Sequence, residues 1–82
     1  MCTYKNNTTK IIIMSKRDLK IFGKRVRELR LERGLTQEEL AEKVGLTPNY
    51  VGMVERAERN TSLLKVFKLA KALEVKVSEL FI

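Results

Sequence analysis

The side chains that usually carry catalysis are scarce in this chain. There is no histidine and one cysteine, Cys2, so an intrachain disulfide and the usual zinc-finger ligand sets are excluded. No glycine-rich phosphate loop is present, and Glu38, Glu39 and Glu42 are better read as capping and solvated helix face than as a converging carboxylate pair. An enzyme is not expected, and neither is a cofactor, a metal or a small-molecule ligand. Positive charge is what the chain has in quantity. Seventeen Lys and Arg stand against ten Asp and Glu, and residues 1 to 33 hold ten of those cations against only Asp18, Glu28 and Glu32, which accounts for the whole net charge of +7. A cationic excess at one end suits a polyanion, because neutralised phosphates release condensed counterions. A solvated basic face that aids solubility is an equally weighted alternative.

The elements that must position these charges fit a single small domain. At 82 residues, 44% apolar and 33% charged, the chain has globular rather than disordered usage. It sits near the lower limit for folding on one core, where a partner subunit helps. The run Ile11-Ile12-Ile13-Met14 falls far short of the roughly 20 residues that span a bilayer, and no small-residue cleavage site follows it. The expected setting is a reducing cytoplasm, with no membrane partner. Residues 1–10, polar and without an apolar period, read as flexible, residues 1–17 together read as a flexible or weakly structured N-terminal arm, and Met14 offers a second start; residues 18–82 read as the folded domain.

From Asp18 to Arg33, Leu19, Phe22, Val26 and Leu29 recur at spacings of three and four, one face of an amphipathic helix that Gly34 stops. Thr36 and Glu39 form a capping-box pair ahead of the stripe Leu40, Ala41 and Val44, and Gly45 ends that helix. Thr47 followed by Pro48 starts a third, with Val51 and Val54 inward and Gly52 inside it at a propensity cost of up to about 1 kcal/mol. Ser62 caps a fourth, whose period runs through Leu63, Val66, Leu69, Ala70 and Leu73 as far as Val75, and Ser78 opens a terminal turn. The architecture expected is all-α, a compact bundle of four to five short helices. Two short capped helices around Val44-Gly45-Leu46-Thr47 match a helix-turn-helix, although any small bundle can place two helices around a glycine.

The wording of that segment narrows the choice. Leu35-Thr36-Gln37-Glu38-Glu39-Leu40-Ala41-Glu42-Lys43-Val44-Gly45-Leu46-Thr47, followed by Val51 and Val54-Glu55-Arg56, resembles the phage-repressor and Cro-type helix-turn-helix regulators, from about Phe22 to Leu80. Leu69-Ala70-Lys71-Ala72-Leu73 stands at that family's separation from it. Tyr50 to Leu73 is most similar to the controller proteins of restriction-modification systems, which usually carry Gly where this chain has Ala57. The resemblance implies a lambda-repressor-like DNA-binding fold and double-stranded DNA as the partner.

It also implies roles by position. Asn49 and Met53, flanked by Pro48 and Tyr50, face the bases, with Asn49 able to pair with adenine and Met53 offering only an apolar contact; the alternative for Tyr50 is a ring packed on the bundle. Gln37 touches a phosphate at the positive end of the second helix. Thr47, Arg56 and Arg59 complete the backbone contacts; Lys24 and Arg25, on the flank of the first helix away from its apolar stripe, either extend that footprint or form a solvated helix face. With Pro48 and Met53 where the family often has polar readers, specificity leans on Asn49, on Arg56 or Arg59, and on DNA shape. Arg30 and Glu55 form a structural ion pair.

Leu64, Phe67, Leu80, Phe81 and Ile82 remain after the core is assigned, more apolar surface than a lone domain exposes. A homodimer interface is expected there, although Phe67 and Phe81 could instead finish the monomer core. The function expected is a transcriptional regulator on a near-palindromic operator. The alternative is an antitoxin or phage-type repressor whose main partner is another protein.

Overall fold

A computed structural model describes residues 15–81; the predicted arm up to residue 14, with its Ile run and Cys2, and Ile82 lie outside the described residues. Helix α1 spans Lys16–Glu32. It starts two residues before Asp18, because Ser15 is the N-cap and its hydroxyl accepts from the Asp18 amide at 3.1 Å. Lys16 and Arg17 therefore belong to the helix and not to the arm.

Helix α2 spans Gln37–Val44 and starts with both halves of its capping box, Thr36 Oγ1 accepting from the Glu39 amide at 3.0 Å and Glu39 Oε1 accepting from the Thr36 amide at 2.9 Å. Helix α3 spans Pro48–Glu55, capped by the Thr47 hydroxyl with Pro48 at its first position. Helix α4 spans Leu63–Leu73 behind the Ser62 cap, and a short 3-10 helix, Val77–Phe81, closes the domain.

All four α-helices end in one way: a left-handed residue follows, and the amide beyond it reaches back five residues, the Schellman arrangement. Leu35, Leu46, Glu58 and Val75 donate to the carbonyls of Arg30, Ala41, Met53 and Ala70 at 2.8 to 3.0 Å. The left-handed residues are Gly34, Gly45, Ala57 and Glu74, with φ from 61° to 72°. Two are glycines, as the stop signals predicted. Ala57 keeps the geometry that the controller-type glycine would provide, and Glu74 ends α4 short of Val75. In an L-residue that conformation costs about 1–2 kcal/mol.

The core is one cluster to which every element contributes: Phe22, Val26 and Leu29 from α1, Leu40, Ala41 and Val44 from α2, Val51 and Val54 from α3, Val66, Leu69, Ala70 and Leu73 from α4, and Leu80. Leu80 is wholly buried, which corrects its assignment to a dimer surface. Arg25 holds that last turn down by donating to the Glu79 carbonyl at 2.9 Å. The ring of Phe81 stacks on that of Phe22 with centroids 5.3 Å apart.

At one point α1 and α3 touch backbone to backbone. A Cβ on Gly23 would meet the Val54 carbonyl oxygen at 2.4 Å and that of Glu55 at 2.9 Å, so no larger residue fits without moving a helix. Of the two L-residues in that conformation, Ala57 stands where the controller-type family has glycine, and Ala57→Gly is expected to raise unfolding free energy by about 0.5–1 kcal/mol, the relief of strain less the extra entropy of an unfolded glycine. A urea melt measures it, and a lowered midpoint would show that Ala57 is not strained.

Candidate nucleic-acid interface

Helix α3 turns Val51 and Val54 into the core and leaves Pro48 and Asn49 exposed, with Met53 partly so. Asn49, Met53 and Arg56 recur at four and three residues, which aligns them along one outward ridge. The Thr47 hydroxyl is engaged as the cap of α3, accepting from the Tyr50 amide at 3.1 Å.

Tyr50 lies differently from the base-reading role expected for it. Its ring packs against the core cluster, and its hydroxyl lies 3.3 Å from Thr61 Oγ1 and 3.4 Å from the Asn60 carbonyl. The ring face carries two cations, the Lys65 ammonium 4.5 Å and the Arg59 guanidinium 5.3 Å from its centroid. Such contacts contribute about 0.5–1 kcal/mol at exposed sites. Tyr50 is thus a mount for positive charge beside α3. Lys65 was missed in the sequence. Its signal was the Ser62 cap, which puts residue 65 in the first turn of α4.

Beneath the ridge, Arg30 and Glu55 meet as expected and form a two-pronged pair, Nε to Oε2 at 2.6 Å and Nη2 to Oε1 at 3.1 Å. Their side chains are 9% and 2% exposed, so removing either partner would strand a buried charge. The remaining bonds reach both neighbouring segments: Arg30 Nη1 donates to the Leu35 carbonyl at 2.9 Å, and Gln37 Nε2 donates to Glu55 Oε1 at 3.0 Å. Gln37, read from sequence as a phosphate contact, is therefore also fixed from below by the carboxylate, and its tie to Glu55 could not be foreseen from spacing.

The basic N-terminal stretch is used less for surface charge than its composition implied. Besides Arg30, Arg25 bonds Glu28 at 3.0 Å as well as the Glu79 carbonyl, and Arg33 donates to the Leu73 carbonyl at 2.7 Å, capping α4. Arg25 is a strut of the fold, tied to Glu79 and Glu28 rather than held out as free surface charge. Lys24 stays exposed, 4.0 Å from Glu28. On α4, Leu64 and Phe67 are 62% and 52% exposed, and Phe81 is 37% exposed.

Comparison with known proteins agrees with this geometry. The helix-turn-helix family model matches residues 26–80. Control protein C.SmaI of Serratia marcescens is 47% identical over 60 residues, which cover 73% of this chain and 71% of that protein. The restriction-modification controller protein C.AhdI from Aeromonas hydrophila superposes with a TM-score of 0.76 at 54% identity, covering 79% of this chain and 98% of that one. The biofilm master regulator SinR, solved in complex with DNA, gives 0.70 at 34% identity, over 74% of this chain and 98% of that one.

The ion pair yields a quantitative expectation. Arg30→Ala and Glu55→Ala should each destabilise the fold by about 3–5 kcal/mol, and the double variant by clearly less than the sum, since the second change removes an already stranded charge. Additive losses in denaturant melts would show that the pair is not coupled.

Proposed function

The chain belongs to the helix-turn-helix family of DNA-binding transcriptional regulators, and on that premise we propose that it is a restriction-modification controller binding a near-palindromic operator as a homodimer. The observation that carries the reading is the outward ridge of α3, exposed at Pro48 and Asn49 and fixed beneath by the buried Arg30–Glu55–Gln37 network. A helix held that way enters the major groove as a rigid body with its N-terminal residues toward base edges. Asn49 reads a base through its amide, and Pro48 and Met53 contribute shape and apolar contact. Gln37, at the N-terminus of α2, and Arg59 and Lys65, mounted on Tyr50, grip phosphates on either side; Lys24 and the first turn at Thr47 complete the footprint.

Dimerisation is supported by Leu64 and Phe67, three residues apart on α4 and more than half exposed. Exposed apolar side chains at that spacing form a stripe that a two-fold partner would bury, with Phe81 as a further candidate. Such a dimer sets two copies of α3 about 34 Å apart, one turn of DNA. The reading implies a cytoplasmic protein; among the described residues no helix is long and apolar enough to cross a membrane.

Two measurements test these roles. Asn49→Ala should weaken operator binding and flatten base preference at one position per half-site; unchanged operator affinity would reject the base contact. Phe67→Glu should convert a sedimenting dimer to monomer and weaken operator binding more than 10-fold. A variant that sediments like the parent removes this stripe from the interface. A stable one-to-one complex with an unrelated protein in place of the homodimer would favour the antitoxin reading.

A further inference from the structure

We propose that Arg56 reads a guanine in the major groove and that Gly52 is the slot that aims it. The proposal rests on the operator-binding reading above. Side chains on an α-helix lean toward its N-terminus, so a long residue covers the surface one turn earlier. From the C-cap of α3, Arg56 therefore lies back over residue 52, which has no side chain to deflect it. A Cβ built there would stand 3.1 Å from Arg56 Nη1, and 3.5 and 3.6 Å from Oε1 and Nε2 of Gln37. The guanidinium is thus drawn along the helix toward Gln37 and onto the base-facing ridge, rather than pointing off the end of α3.

Its Nε edge is also occupied. Glu58 Oε2 forms an exposed ion pair with Nε at 3.2 Å, while Nη1 and Nη2 make no hydrogen bond among the described residues and the side chain is 56% exposed. With that edge occupied, the terminal nitrogens present the end-on fork that matches O6 and N7 of guanine. A phosphate is a poorer partner, since it would bring its negative charge up to the Glu58 carboxylate beside the group. The ridge also needs a donor. Pro48 has none, Met53 is apolar, and Asn49 alone would leave the code thin.

The test starts from a random pool of DNA duplexes enriched with the wild-type protein, followed by affinities for every single-base variant of the recovered sequence. One G·C pair per half-site is expected whose replacement weakens wild-type binding about tenfold or more. Arg56→Ala and Arg56→Lys should both lose that penalty, the lysine variant keeping the salt dependence because it keeps the charge. Gly52→Ala, which favours the helix, should fold and yet weaken the same preference, because the added methyl displaces the guanidinium. If Arg56→Ala instead weakens all sequences alike, with the log affinity against log salt slope falling by about 0.9, the residue is a phosphate contact and the proposal is overturned. Failure to enrich any sequence would overturn the operator reading itself, a result distinct from a guanine preference that survives in the Arg56 variants.

Discussion

A guanidinium and a carboxylate removed from water in so small a protein are tolerated only if nearly every donor and acceptor is met. Arg30 and Glu55 satisfy that condition by drawing in the rest of the recognition unit. Arg30 bonds Glu55 at two points and the Leu35 carbonyl between α1 and α2, and Glu55 receives the amide of Gln37 at the head of α2. One buried pair therefore fixes the end of α3 against both preceding helices. Its reach depends on Gly23, two turns earlier on α1, where the absence of a Cβ lets α1 lie against the carbonyls of Val54 and Glu55. The direction in which α3 faces outward follows from those contacts.

The same constraint redistributes charge. The first helix holds much of the positive excess in sequence, yet Arg25, Arg30 and Arg33 are engaged in bonds to Glu79, Glu55 and Leu73 on other elements. They lock α1 to the remainder of a domain too small to rely on its apolar core alone. The cations beside α3 come from elsewhere: Arg56 at its C-cap, and Arg59 and Lys65 across the ring of Tyr50. A residue that looked like a base reader acts as a platform, and a helix that looked like the basic surface acts as a frame.

Helix ends show how local chemistry and tertiary demand divide the work. Every α-helix closes with the same backward hydrogen bond through a left-handed residue, and where that residue is glycine the stop is visible in the sequence. At Ala57 and Glu74 the conformation is imposed from outside. Beyond Ala57 the chain must turn so that Thr61 meets Tyr50 and α4 can pack, and at Glu74 the Arg33 side chain covers the last carbonyls of α4.

By itself the sequence determined what depends on neighbours within one turn: the capping box at Thr36 and Glu39, the Thr47-Pro48 start, the stops at Gly34 and Gly45, and the core stripes of all four helices. These are set by hydrogen bonds and periodicity over three or four residues, so they can be read off a string. Family wording carried the reading further, to the Arg30–Glu55 pair and to α3 as the reading helix. Only the tertiary structure decided matters that turn on distant packing. Leu80 is core because α1 and the last turn meet, Arg25 is a strut because Glu79 lies above it, and Tyr50 faces two cations because the loop after α3 folds back. Gln37 joins the ion pair because α2 and α3 cross beside it. Each of these contacts links residues at least nine apart, and no local period encodes which side chain a distant element will bring to it.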